Sequence, residues 1–206
     1  MKALITGGNG DISKAIQKRL LELNYQILAP TRQEMDVTNK EQIIKVMDSF
    51  KPDIIINAAG YISPASIKES DDEEWIKHFD VNVYGAYLCI KYALLNGCNT
   101  VINIGSTSSF EGRENWGAYC ATKAALMSLT ETLAREGINS YAIHPSRTKT
   151  KMRDNLFPNE DKTTLMDPDR VAQFVIRTLD KEFSNGSHII VKKDRYYVFP
   201  MREVVK

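Results

Sequence analysis

The chain has 206 residues, 43% of them hydrophobic and 26% charged, with a formal net charge of +1. That suits one soluble globular domain with a full core, and the near-zero balance gives no footing for nucleic acid or an anionic membrane surface. No apolar run approaches the roughly 20 residues that span a bilayer. The N-terminus enters a strand and a glycine turn at once, so no signal peptide is expected. Cys89, Cys98 and Cys120 have no metal-type spacing, which fits a reducing, cytoplasmic setting. His78, His144 and His188 are scattered and read as surface or locally satisfied residues, so no metal site is expected.

In chain order, residues 2–6 read as a strand, followed by the turn Thr6-Gly7-Gly8-Asn9-Gly10 and a helix over 11–23. Ile12, Ala15, Ile16, Leu20 and Leu23 form the helix's apolar face. A strand, glycine turn and helix are the setting in which backbone N–H groups can hold a pyrophosphate. Asp11 reads as a cap for its own helix. Residues 26–31 form a second strand ending at Thr31-Arg32, with no acid before Glu34. An acid there holds a ribose 2′-hydroxyl and an arginine suits a 2′-phosphate, so NADP is favoured and NAD remains possible. Thr38-x-x-Glu41 reads as a capping box for a helix with Ile43, Ile44, Met47 and Phe50 inward. Residues 54–60, Ile-Ile-Ile-Asn-Ala-Ala-Gly, are an unbroken apolar run with a small-residue exit, as in a strand buried on both faces. Ser70-x-x-Glu73 is a second capping box, opening a helix that runs past Trp75, Ile76 and Phe79 to Asn82. An asparagine in an apolar helix needs its amide bonded.

Residues 100–104 form another strand, with Ser106 at its exit. Tyr119 and Lys123 follow at i and i+4 on one helix face. A cation beside a phenol is expected to lower the tyrosine pKa, and a nearby serine can hold a carbonyl oxygen while the phenol exchanges its proton. This is the makeup of a carbonyl–alcohol redox site. Tyr87 and Lys91 repeat the spacing without a strand-end serine and read as ordinary helix. A strand over 140–144 then leads into Pro145-Ser146-Arg147-Thr148-Lys149-Thr150. Residues 151–166 read as a polar loop or lid, Asp167-Pro168 starts a helix to about Phe183, and residues 188–192 form a last strand. Arg147, Lys149, Lys151 and Arg153 would share one side of an extended segment. Such a row attracts anions, as in a phosphorylated or nucleotide-linked sugar, or is simply a solvated loop. Alternating strands and helices give an α/β, doubly wound parallel sheet in a single domain over 1–206.

Ser106, thirteen residues before a Tyr-x-x-x-Lys, together with the Thr-Gly turn and Asn57-Ala-Ala-Gly60, resembles the short-chain dehydrogenase/reductase superfamily. The resemblance implies a Rossmann-type fold and a catalytic set of Asn82, Ser106, Tyr119 and Lys123. It puts Thr6, Gly7, Asn9, Gly10, Asp11 and Ile12 at the pyrophosphate, although Asp11 and Ser13 stand where the family has glycines. It puts Thr31, Arg32, Asp36 and Val37 at the adenosine end, with Asn57, Ala58, Ala59 and Gly60 under the cofactor. Pro145, Thr148 and Thr150, with Tyr119 and Lys123, fall at the nicotinamide end. Asn82 would bend its helix and hold a water that relays protons to Lys123. The short path from Arg32 to Asp36 is similar to dTDP-4-dehydrorhamnose reductases. The family also pairs the helices near 82–95 and 118–135 into homodimers or homotetramers. The implied activity is hydride transfer between NAD(P) and a small-molecule substrate. A non-catalytic dinucleotide-binding regulator, and a sugar isomerase or epimerase using bound cofactor transiently, are the alternatives.

Overall fold

The structure is a computed structural model and describes residues 1–201. Among these, β1 (Lys2–Ile5), β2 (Gln26–Leu28), β3 (Ile54–Asn57), β4 (Thr100–Ile104), β5 (Asn139–Pro145), β6 (His188–Val191) and β7 (Tyr196–Phe199) form one sheet in the order β2-β1-β3-β4-β5-β6-β7. All neighbours are parallel except β6 and β7, which pair antiparallel. The strand order reverses direction between β1 and β3, the place where open α/β sheets form a crevice at their carboxyl ends.

Helices cover both faces, because the central strands are apolar on both sides. On one face α1 (Asp11–Glu22) and α7 (Pro168–Leu179) pack together, burying Ile16, Leu20, Val171, Phe174 and Val175 against Ile5, Ile56 and Ile143. On the other, α2 (Lys40–Phe50), α4 (Gly85–Leu95) and α5 (Gly117–Arg135) bury Ile43, Met47, Leu88, Ile90 and Leu133 against Leu4, Ile55 and Val101. Helix α3 (Asp72–Phe79) runs into α4 through a π-helical turn, Asp80–Tyr84. The short α6 (Lys151–Leu156) follows β5. No helix among the described residues is long and apolar enough to cross a membrane.

Several boundaries differ from the sequence reading for local reasons. Strand β2 stops at Leu28, because the chain turns there to bring Pro30 O to Gly8 N (2.9 Å). The caps of α2 and α3 are Asn39 and Asp71, one residue beyond Thr38 and Ser70. Thr38 is tied by its N–H and hydroxyl to Asp36 Oδ1, and the Ser70 hydroxyl donates to Ile67 O. Leu23 lies outside the core at 50% exposure. Residues 151–166, read as a polar loop or lid, hold α6 and a 3-10 turn, Lys162–Thr164. Helix α7 ends at Leu179, since Lys181 takes a left-handed φ of 60° and redirects Phe183 onto Phe174. The antiparallel β7 was not anticipated. All three histidines are buried, none on the surface.

The carboxyl ends of β1 and β3 are joined by one hydroxyl. Thr6 is fully buried, and its Oγ1 accepts from both Ala58 N and Ala59 N at 3.0 Å. Thr6→Val keeps the shape and strands both donors, so it should cost about 2–4 kcal/mol. Thr6→Ser should cost far less, and urea unfolding of the two variants checks this.

Candidate active site

The exits of β1, β3, β4 and β5 border one cleft of about 250 Å³. Its walls bring together Asn9, Gly10, Asp11 and Ile12 from the first turn, Ala58 and Gly60 from the β3 exit, and Ser106 from the β4 exit. Tyr119 and Lys123 of α5 and Pro145, Thr148 and Thr150 of the β5 exit complete them. Thr6, Gly7, Asn57, Ala59 and Asn82 lie outside the lining. Thr6 is spent on the amides above, and Asn57 Nδ2 donates to Asn103 Oδ1 (3.0 Å) in a buried link that continues to Thr130. Thr31, Arg32, Asp36 and Val37 are also outside the lining, on the segment after β2. There Arg32, 76% exposed, bonds Asp36 Oδ2 at 3.0 Å, and Val37 packs on Gly85. Burial works against the Asp36 charge, but the Thr38 N–H and hydroxyl and Arg32 together hold its carboxyl below the usual range. Tyr87 and Lys91 lie on α4, away from the cleft, as ordinary helix.

The glycine turn is shaped by close approach. Gly7 has φ 68°, and a Cβ there would sit 2.9 Å from Ala59 Cα; one on Gly8 would fall 2.0 Å from Ala29 O. Gly10 is the N-cap of α1 and brings no side chain to the helix start, so the first-turn N–H groups are not taken by a cap. Asp11 does not cap α1 either. Its Oδ2 accepts from Lys151 N at 2.7 Å, the first residue of α6. Ser13, the other departure from a glycine, is buried and donates to Thr6 O.

The π-helical turn places Asn82 under the β3 exit. Its Oδ1 accepts from Tyr61 N (2.7 Å), and its Nδ2 donates to Tyr61 O (2.9 Å) and Thr122 Oγ1 (3.0 Å). An inserted residue of this kind widens the helix and re-aims a side chain. Lys123 is 5% exposed, with Nζ donating to Ile104 O at 2.9 Å and lying 5.6 Å from the Tyr119 ring centroid. Burial lowers the Lys123 pKa to about 8. Burial likewise raises Tyr119 to about 12, with the Ser106 hydroxyl pulling the other way. The expectation that Lys123 depresses the phenol is therefore reversed. The ammonium spends its directed bond on a carbonyl, and desolvation dominates the ring, which still faces the cleft.

The cations do not form an extended row, although Arg147, Lys151 and Arg153 all line the cleft. Thr150 caps α6, so Lys151 and Arg153 are helical, and Arg153 grips Glu160 through two bonds (2.5 and 2.7 Å) with Arg147 at 3.4 Å. Residues not anticipated in the walls include Ile62, Trp116, Met152 and Leu156, largely apolar, and Arg113, which donates to Thr107 Oγ1 (3.0 Å). The Ser-Tyr-Lys spacing could have pointed to Trp116, three residues before Tyr119; Met152 and Leu156 needed α6 to be known. Among the described residues no group of His, Cys, Asp and Glu is arranged to hold a metal ion.

Known proteins share the family and the fold. Residues 31–161 match the short chain dehydrogenase family model. An uncharacterized oxidoreductase of Staphylococcus aureus is 29% identical over 191 residues, covering 86% of this chain and 80% of its own. Among solved structures, a small-chain dehydrogenase in complex with NADPH superposes with a TM-score of 0.84 at 20% identity, over 94% of this chain and 97% of that one. A 4-hydroxyisoleucine dehydrogenase complexed with NADH gives 0.82 at 23%, over 93% and 96%. With its seven-stranded α/β sheet and more than half its length matched, the chain belongs to the short-chain dehydrogenase family of oxidoreductases.

Proposed function

We propose that the cleft binds NADP and interconverts a carbonyl and an alcohol, with Tyr119 as general acid/base. The observation that carries this reading is the meeting of Ser106, Tyr119 and Lys123 on one side of a cleft whose other side is the glycine turn and the uncapped start of α1. The turn fits a dinucleotide: Gly7 and Gly8 allow close backbone approach, and the α1 N–H groups can hold a pyrophosphate. The bound nicotinamide supplies or accepts the hydride. Ser106 orients the substrate oxygen. Tyr119, protonated at neutral pH, gives its proton to that oxygen in reduction. Lys123 supports the charge left on the phenol. Asn82 has both amide protons engaged, so its role in this reading is to hold the Tyr61 backbone and the π turn beside Lys123.

NADP is supported by the exposed guanidinium of Arg32 at the adenosine end and by the NADPH bound to the similar small-chain dehydrogenase; the NADH-bound neighbour keeps NAD open. The absence of a helix between β2 and α2 supports the likeness to dTDP-4-dehydrorhamnose reductases in that stretch. The cations are not in an extended row, yet Arg147, Lys151 and Arg153 line the cleft with Arg113, which supports an anionic group on the substrate, while Ile62, Trp116, Met152 and Leu156 support an apolar flank beside it. The complete Ser-Tyr-Lys set argues against a regulator without chemistry. Dimerisation through α4 and α5 is supported by Tyr84 and Tyr87, stacked at 6.0 Å and 50% and 41% exposed.

Tyr119→Phe should retain fold and NADPH affinity while losing about 10²–10⁴-fold in turnover. NADPH oxidation against a panel of ketones and aldo-sugars checks this, and undiminished turnover sinks the mechanism. A buried lysine with a depressed pKa binds fewer protons folded than unfolded between about 8 and 10.5, so wild-type stability gains with rising pH across that window. Relative to Lys123→Met, the wild-type melting temperature should climb from pH 8 to pH 10.5 and run parallel below pH 8. Sedimentation at micromolar concentration should show a dimer or tetramer; a monomer refutes the α4–α5 pairing.

A further inference from the structure

Behind Ser106 runs a buried line of polar groups that the proposed chemistry does not use. Glu131 Oε1 lies 3.1 Å from His188 Nε2, and His188 Nδ1 lies 3.2 Å from His144 Nε2. His144 Nδ1 then lies 3.2 Å from Ser106 O and 3.1 Å from Ser109 Oγ. All three side chains are buried, at 6%, 2% and 0% exposure. They come from α5, β6 and β5, and the line ends on the backbone of the serine that faces the cleft.

The far end of the line is a peptide carbonyl, which can only accept. His144 is neutral, since burial and the neighbouring His188 lower its pKa to about 3, so it carries a single ring proton. Placing that proton on Nδ1 satisfies Ser106 O and Ser109 Oγ and leaves Nε2 as an acceptor. His188 must then donate from Nδ1, and a further proton occupies the gap between His188 Nε2 and Glu131. Every link then has a donor, with the single Nδ1–H shared between Ser106 O and Ser109 Oγ. The opposite polarity would let the Ser109 hydroxyl donate to Nδ1 but would set that bare nitrogen against the Ser106 carbonyl at 3.2 Å.

His144 also grips the same turn sterically. A Cβ on Gly105 would fall 2.4 Å from His144 Nδ1, so the ring lies directly on the residue before Ser106. The Ser106 carbonyl that meets His144 also accepts from Ser109 N (2.9 Å), closing the 3-10 turn Thr107–Ser109. The start of that turn fixes the serine side chain, since Ser108 N donates to Ser106 Oγ at 3.1 Å.

We propose that Glu131, His188 and His144 form a polarised hydrogen-bond chain that holds the Ser106–Ser109 turn, and with it the Ser106 hydroxyl, in place for Tyr119. His144 and His188 are thus positioning residues. Their effect on turnover rests on the function proposed above; the polarity of the chain does not.

The test has two arms. Imidazole ¹⁵N spectra of the full-length wild-type protein should show His144 protonated on Nδ1 and bare on Nε2, and His188 protonated on Nδ1. A His144 protonated on Nε2 overturns the proposal whatever the enzyme's substrate. In the second arm, His144→Leu and His144→Asn are compared in NADPH oxidation with 2,3-butanedione. His144→Leu should lower kcat at least about tenfold with NADPH Kd within about twofold, and His144→Asn, whose amide can replace Nδ1–H toward Ser106, should recover most of that loss. A folded His144→Leu with wild-type kcat overturns the positioning role. If that variant fails to fold, the spectra decide. Absence of butanedione turnover in the wild type counts against the proposed function and leaves the spectra as the judge of the chain.

Discussion

A lysine ammonium inside a protein is among the costlier groups to bury, and this site is built around one. Lys123 reaches the carboxyl end of β4 and bonds the Ile104 carbonyl. That carbonyl is available because the chain leaves the strand there, at Gly105, whose own N–H turns to Ile143 O at 2.7 Å. The ammonium therefore registers α5 against the β4 exit, and Tyr119, one turn earlier on the helix, follows. Gly60 lies on the other side, where a Cβ would only touch Asn82 Oδ1 at 3.6 Å and Lys123 Nζ at 3.8 Å. Asn82 then pins the Tyr61 backbone. Serine, asparagine and the tyrosine–lysine pair come from three parts of the chain, and their relation depends on where one buried charge finds its acceptor.

Much of this was legible in the sequence because the signals were local. Unbroken apolar runs such as Ile54-Ile55-Ile56 mark central parallel strands, since both faces must be covered. The Tyr119–Lys123 spacing fixes a shared helix face without further information. Twelve of the residues expected at the site line the cleft. What failed needed knowledge of neighbours. Thr38 and Ser70 fit a capping box by spacing, but nearby acceptors engage them and pass the cap one residue along. The tyrosine pKa was argued from the i+4 lysine alone, and the carbonyl of Ile104, fifteen residues before Tyr119 in sequence, redirects that lysine.

The histidines show the same limit more sharply. Read singly, His144 and His188 lie 44 residues apart and suggest nothing. Parallel pairing of β5 with β6 puts them on neighbouring strands, with His144 opposite Ile190 and Ala142 opposite His188, and α5 brings Glu131 over the pair. Long-range register is invisible to spacing rules, so polar chains that cross a sheet are the features a sequence hides best. Strand β7 was missed for a different reason: its reversal depends on a tight return at Lys192–Arg195, where Lys192 N bonds Arg195 O.

The bond from Lys151 N to Asp11 joins residues 140 apart in the chain. Helix α6 has six residues, well under the roughly 12–15 at which an isolated helix becomes even marginal in water. Its order is accordingly borrowed: Thr150 caps it from within its own segment, and Asp11 anchors its first amide from the far end of the chain. A residue that departs from the glycine expected at that place thus makes the wall formed by Met152 and Leu156 conditional on the turn where a phosphate would rest. The glycine turn and the α6 wall thereby share a single carboxylate.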